Sequence, residues 1–451
     1  MALVAVVKKD CPTCQLVAPV LEQLAAATDL TIHREDDDEG LRTSYELGIE
    51  TVPTLIKDGE RIVGWQRDMW EKFTGVTGLG VGLPQHRPGC GAKAVEPDIA
   101  AHFASESLRS RRVELAEAED DAEAMFDRGW TDGLPVVPPT PERVAKMLLG
   151  TSRSPDDVVA VVPPDLVECT VEKVAVNAVL AGCKPEYLPV VLAAVEAACT
   201  QEFNAHGLLA TTYFSGPVVI VNGPITRAIG MNSGVNALGQ GNRANATIGR
   251  ALQLVIRNVG GGRPGEVDRA TLGNPGKYTF CFAEDEEGSP FEPLSVERGM
   301  APGTNSVTLF AGEGPRGVVD QLSRSPESLA RTFAACLRSV AHPKLAIAFD
   351  ALLVISPEHG RVFRDAGWDK ARLRAELNEL LQMDGAESVR GAGGITEGLP
   401  EAFASATLPK FRDGGLLIAH AGGAAGLFSA IIGGWASGAV GSEPVTREIG
   451  R

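Results

Sequence analysis

The chain has 451 residues, 44% hydrophobic and 22% charged, which allows about two to four domains with full cores and no need of disulfide staples. Its net charge of −16 argues against a nucleic-acid duplex or an anionic membrane as partner, because both reward basic surfaces. Gly (51) and Pro (29) are abundant, pointing to tight turns and close backbone approaches, and no apolar run is long enough to span a bilayer.

The opening MALVAVV is a strand's length of apolar residues followed, not preceded, by lysines, so it reads as a buried strand over 2–7 and not as a signal peptide. Next comes Cys11-Pro12-Thr13-Cys14, then Leu16, Val17, Val20, Leu21 and Leu24 at helical spacing. Cys11 therefore falls at a helix N-terminus, where unpaired N–H groups and the dipole favour a thiolate, with Lys8 and Lys9 adding to this if their heads lie close. Cys14, one turn inside, is placed to resolve a mixed disulfide formed on Cys11. A strand over 30–36, a polar helix and the stretch IETVPTLIKDGERIVGW (49–65) follow. The last reads as strand, Val52-Pro53, strand, Asp-Gly turn and return strand, with a cis bond at Pro53 turning the loop toward the dithiol.

With CPTC after the first strand and TVPT before a hairpin, residues 1–80 resemble a compact thioredoxin/glutaredoxin-fold domain, on its shorter glutaredoxin-like branch. A zinc site is the alternative for such a pair, but a lone CxxC has no second pair to complete it. Residues 75–91 lose periodicity and become Gly/Pro-rich, as a linker would, and Cys90 lies within them. Cys90 is either a relay thiol or a solvent-facing bystander. A charged helix is expected over 105–130, so that 81–120 is linker plus helix.

From 121 to 451, apolar strands (217–223, 277–285, 306–312, 349–359, 414–423) alternate with helices, which predicts a large α/β domain covered on both faces. VVIVNGPITRAIGMNSG (218–234) and LLVISPEHGRVFRDAGW (352–368) echo each other, suggesting two related halves, about 121–300 and 301–451, with both turns at a shared cleft. Between 222 and 250, Asn222, Arg227, Asn232, Arg243 and Asn245 are threaded on glycines and could face an anion, or could only shape the loop. His206, Glu284, Asp285, Glu358, His359 and His420 are candidate acid–base or binding groups, His359 foremost, and no pair has metal-ligand spacing. GEGPRG (312–317) matches GxGxxG, but Pro315 stiffens it and no strand-end acid follows at a convincing distance, so neither NAD nor FAD is expected. Cys169, Cys183, Cys199, Cys281 and Cys336 sit in apolar contexts and read as small hydrophobes.

The segments DGLPVVPPT, NGPITRAIGMNSG, NRANATIGRA, SPEHGRVFRDAGW and GGAAGLFSAIIGGW resemble an uncharacterised bacterial family associated with small proteins bearing a Sec/Cys-Gly-Ser-Cys (UGSC) motif. The chain lacks that motif itself, so the resemblance implies a separate UGSC-type (seleno)protein as partner. The expectation as a whole is a cytoplasmic thiol–disulfide oxidoreductase with no cofactor beyond its dithiol. Its electrons would go to a small anionic or thiol-containing substrate of the large domain, or to a partner; a homo-oligomer is compatible with this, nucleic acid and membrane are not. The alternatives are a carbon–sulfur lyase or sulfur-transfer enzyme using the dithiol to regenerate a thiol, and a non-enzymatic redox adaptor.

Overall fold

The computed structural model describes residues 3–116, 119–438 and 441–450. Contacts divide the chain into an N-terminal unit that runs to Arg109 and includes Thr140–Lys146, and a larger unit made of Ser110–Pro139 and the chain from Met147 onward.

In the N-terminal unit the elements follow as β1 (Leu3–Val7), α1 (Pro12–Ala27), β2 (Leu30–Arg34), α2 (Asp38–Glu46), β3 (Thr51–Val52), β4 (Thr54–Lys57), β5 (Glu60–Val63), β6 (Trp65–Gln66), α3 (Arg67–Thr74), β7 (His86–Arg87), β8 (Cys90–Gly91) and α4 (Pro97–Ser105). The main sheet has the order β2-β1-β4-β5, with β1 parallel to β2 and antiparallel to β4. This is a thioredoxin-like sheet-and-helix unit. As a central strand, β1 buries Leu3, Ala5, Val6 and Val7, which is why its sequence is apolar without alternation. The β4–β5 hairpin closes through Asp58 and Gly59, both at positive φ, as a tight two-residue turn requires. Helix α1 buries Val17, Val20, Leu21 and Leu24, the stripe read from the sequence.

The Gly/Pro stretch is not a linker. Leu79 is fully buried, Trp65 Nε1 donates to Pro84 O at 2.6 Å, and the Arg67 guanidinium donates to Gly80 O and Leu83 O. Two short pairings, β6 with β7 and β3 with β8, then bind the returning chain to the domain. The buried Glu35 carboxylate accepts from the N–H groups of Lys93 (2.8 Å) and Ala94 (3.2 Å) and from Ser44 Oγ. Glycine serves close approach here, since a Cβ on Gly89 would stand 2.7 Å from Val52 O. The first unit therefore ends near 109, not near 80. The charged helix expected over 105–130 is likewise interrupted: α4 ends at Ser105, 111–116 are not helical, and a new helix spans Asp121–Asp127, with 117–118 outside the described residues. The intervening sequence has almost no apolar face to pack, and packing is what sustains most protein helices.

The larger unit is built on β9 (Gly216–Asn222), β10 (Cys281–Ala283), β11 (Ser306–Gly312), β12 (Arg316–Val319), β13 (Phe349–Ile355), β14 (Leu416–His420), β15 (Phe428–Ala436) and β16 (Val445–Glu448). Among the described residues these form one mixed eight-stranded sheet, β10-β9-β11-β15-β13-β14, with β12 on β15 and β16 on β11. Its helices include α5 (Val171–Ala181), α6 (Leu188–Ala198), α7 (Arg243–Asn258), α8 (Pro357–Asp365) and α9 (Lys370–Leu380).

The topology repeats. Strand β9 is parallel to β10 and antiparallel to β11, and β13 is parallel to β14 and antiparallel to β15, each parallel pair joined through helices. The two sets meet where Gly312 of β11 pairs with Gly434 of β15. The first repeat thus closes at 312, because β11 completes it; a division at 300 would cut it short. Val218, Ile220, Phe282 and Phe310 from one set share a core with Leu352, Val354, Leu417 and Ile432 from the other.

The packed 75–94 segment makes truncation informative. A fragment of residues 1–109 is expected to melt cooperatively, whereas one ending at 80 strips the cover from Trp65 and Val52 and should melt at least about 10 °C lower. Full burial of one leucine side chain is worth about 2 kcal/mol, so the loss of this layer is large for a small domain. Equal melting temperatures by circular dichroism would restore the boundary at 80.

Candidate redox site

Cys11 is the N-cap of α1, with extended backbone (φ −100°, ψ 116°), Pro12 at the first helical position and no acidic residue in the first turn. Its Sγ accepts from Cys14 N at 3.3 Å and lies 3.6 Å from Val52 O, the carbonyl before the cis Pro53. Cys90 comes from the other side. Strand β8 sets Cys90 opposite Val52 and Gly91 opposite Thr51. Thr13 Oγ1 donates to Pro88 O at 2.7 Å, and Lys8 Nζ donates to Gly91 O. The outcome is a 2.8 Å hydrogen-bonded contact between Cys11 Sγ and Cys90 Sγ, all three cysteines being free thiols. Cys90 is thus fixed in a strand and not carried on a mobile segment.

The three sulfurs are electrostatically unequal. Burial by itself would raise the Cys11 thiol, but hydrogen bonds from Cys90, Cys14 and the N–H groups of Cys14 and Thr13 outweigh it and hold Cys11 below the ordinary cysteine value. Burial pushes Cys14 strongly upward, and the neighbouring Cys11 adds to that. Cys90 is raised by burial and then by Cys11. Cys11 is the acidic thiol and has no exposed surface, while Cys90 is partly exposed and covers it. Of the three, Cys11 at the helix N-terminus is therefore the sulfur that ionises most readily.

Composition located Cys11, Cys14 and Pro53. Lys8 was expected to act on Cys11 by its charge, whereas here it donates to Gly91 O; Thr13 and Glu35, which also fix the returning chain, were not singled out, and the one signal was that Thr13 separates the cysteines.

Residues expected to bind substrate in the larger unit are mostly held by their own loop. Asn232 Oδ1 accepts from Gly234 N and its amide donates to Val235 O; Asn245 bonds both Asn232 N and Asn232 O. Arg243 donates to Gly182 O, Arg227 pairs with the exposed Glu287, and His206 is exposed on a short helix. Both ring nitrogens of the buried His359 are engaged, by Ser429 Oγ at 2.8 Å and Asp320 O at 3.0 Å. Glu358 accepts from Gly426 N and meets Arg361.

The structure does bring strand ends of both repeats together, in a buried polar cluster where Asn222 Oδ1 and His420 Nε2 keep no partner. Asn222 Nδ2 donates to Glu284 Oε2 and Glu286 Oε1, both at 2.7 Å; Glu284 also accepts from His420 N, and Asp285 N donates to His420 O. Burial raises the Glu284 carboxyl. GEGPRG runs from β11 into β12, and AGGAAG (421–426) lies between β14 and β15, so neither opens the helix that a phosphate cradle needs.

Comparison with known proteins places the first unit alone. A thioredoxin of Mycobacterium tuberculosis is 46% identical over 61 residues, 12% of this chain and 53% of that protein. A thioredoxin of Staphylococcus saprophyticus is 41% identical over 63 residues, 12% of this chain and 61% of that protein. The chain thus spans between half and two thirds of the relatives it matches. Both are thioredoxins, which supports the thioredoxin fold of this unit and not its shorter glutaredoxin-like branch. No protein-family model matches, and no solved structure matches. The similarity and the clustered cysteines together indicate thiol redox chemistry in the N-terminal unit.

Cys90 both acidifies Cys11 and covers it, so its removal should have two opposite signatures. In Cys90→Ala the midpoint of the pH–rate profile for alkylation of Cys11 should move to higher pH, because a donor to the thiolate is gone. The plateau rate above that midpoint should rise, because the sulfur is uncovered. Mass-spectrometric labelling rates across pH test both; an unmoved midpoint would remove Cys90 from the electrostatics of the site.

Proposed function

We propose that the chain is a thiol–disulfide oxidoreductase in which Cys11 is the nucleophile and two thiols, Cys14 and Cys90, compete to resolve it. The observation that carries this reading is the 2.8 Å approach of the Cys90 sulfur to the acidic Cys11 sulfur. The Cys11 thiolate attacks one sulfur of a disulfide R–S–S–R′, the S–S bond breaks, and R′S⁻ leaves and takes a proton from solvent. Cys14 or Cys90, losing its proton, then attacks Cys11 Sγ, forming an internal disulfide and releasing R–SH. Two electrons pass from the protein to the substrate. Cys11 no longer carries negative charge in the mixed disulfide, so the repulsion that raises both partner thiols is relieved at the moment either is needed.

The reading extends to the whole chain. The disulfide or oxidised thiol or selenol belongs to a small anionic or thiol-containing substrate of the larger unit, or to a UGSC-type partner protein, and Cys90, the partly exposed thiol, relays electrons to it. We place the reaction in a reducing cytoplasm, which suits eight free cysteines. No helix among the described residues is long and apolar enough to cross a membrane.

Reduction of a model disulfide, 5,5′-dithiobis(2-nitrobenzoate), by the full chain under a recycling reductant tests the division of labour. Cys11→Ser should lose at least about 100-fold in rate. Cys14→Ser should keep a substantial fraction through Cys90, and the Cys14→Ser/Cys90→Ser pair should accumulate a mixed disulfide on Cys11. A Cys14→Ser enzyme as slow as Cys11→Ser would refute the second resolving thiol.

A further inference from the structure

A cavity of about 490 Å³ opens in the larger unit at the N-terminal end of β9, away from the strand ends where a ligand was expected. Its volume is that of a small-molecule site. Leu208, Leu209 and Ile256 give it a buried apolar wall. Leu272 and Tyr278, which also line it, leave 82% and 45% of their surface exposed.

Against this apolar wall stand three polar groups with nothing to bind. Ser215 is 1% exposed and its Oγ is buried without a partner. Gln253 and Arg257 lie one turn apart on α7, on one face of the helix, and Gln253 Nε2 and Arg257 Nε are also buried and unpartnered. All three atoms can donate a hydrogen bond, and each lines the same cavity. Gly216, beside Ser215, leaves the floor bare: a Cβ there would lie 3.7 Å from Gln253 Nε2 and 3.1 Å from Lys277 Cγ.

The charges of the wall are otherwise matched. Lys277 Nζ is 2.7 Å from Asp268, and Asp132 receives a bidentate Arg250, both bonds at 2.8 Å. Arg257 has no ion pair and no hydrogen bond among the described residues. The two aspartates of the same cavity, Asp132 and Asp268, are each taken by another cation and not by this guanidinium. A cation and two further donors facing an apolar cavity without a counter-ion form a site that lacks its anion.

We propose that this cavity binds a small monoanionic carboxylate with an apolar body, its carboxylate held by Arg257, Gln253 and Ser215. One guanidinium balances one negative charge, and the carboxylates of Asp132 and Asp268 in the same wall disfavour a dianion such as a phosphate monoester. The proposal concerns a ligand and does not depend on the thiol chemistry of the N-terminal unit.

Calorimetric titration of the full chain with hexanoate and benzoate, and with hexanamide and benzamide as neutral counterparts, tests it. Each carboxylate should bind at least about tenfold more tightly than its amide. Arg257→Gln should bring the carboxylates down to the level of the amides while leaving amide binding in place, which also reports that the cavity is intact, and Arg257→Lys should restore part of the preference. If Arg257→Gln fails to fold, Ser215→Ala should still narrow the gap. Carboxylates that bind no better than amides, no measurable binding of either, an undiminished preference in both Arg257→Gln and Ser215→Ala, or tighter binding of phenyl phosphate than of benzoate would each overturn the assignment.

Discussion

The chemistry of the N-terminal unit depends on one backbone pairing, the two-residue ladder between Thr51–Val52 and Cys90–Gly91. It brings a thiol from 79 residues downstream to within 2.8 Å of the sulfur at the α1 N-terminus. Everything that fixes the pairing lies around the dithiol: Thr13 holds Pro88 O, Lys8 holds Gly91 O, and Gly89 allows the backbone to pass Val52 O without a Cβ in the way. The same carbonyl, Val52 O, faces the Cys11 sulfur. The CxxC pair is thereby made into a site of three thiols with graded acidity, and the gradation follows from which sulfur receives hydrogen bonds and which are merely buried.

Much of this unit was legible because its signals are local. An apolar strand, a dithiol, a helical stripe and a Val-Pro before an Asp-Gly hairpin each carry their geometry within a few residues. The segment from 75 to 91 was misread as a linker for a physical reason. Glycine and proline mark both mobile chain and chain packed too tightly for side chains, and composition does not separate the two. What distinguishes them is the partner: Leu79 under the domain, Trp65 on Pro84, Glu35 on the amides of 93 and 94. The nearest of these hydrogen-bonded pairs, Trp65 with Pro84, is 19 residues apart in sequence.

In the larger unit the echo between 218–234 and 352–368 corresponds to a repeated topology, with each repeat ending in an antiparallel strand that meets its counterpart at Gly312 and Gly434. The glycine-threaded stretch reads as loop, yet Asn222 ends β9 and Arg227, Arg243 and Asn245 lie in helices; asparagines that can satisfy an anion can equally satisfy a turn, and here Asn232, Asn242 and Asn245 cap and brace the chain around them. Polar atoms are left without partners at the strand ends, Asn222 Oδ1 and His420 Nε2, and also on α7, where Arg257 stands in an ordinary amphipathic pattern. Only the structure shows that no acid pairs with it.

The central claim is that Cys90 is a chemical partner of Cys11 and not a neighbour by packing alone. Limited oxidation of the reduced full chain with a substoichiometric diamide dose, followed by alkylation and peptide mapping, measures this directly. The account predicts a Cys11–Cys90 disulfide alongside Cys11–Cys14, with Cys169, Cys183, Cys199, Cys281 and Cys336 still free. A Cys11–Cys14 bond as the sole product, with Cys90 fully alkylated, would contradict it.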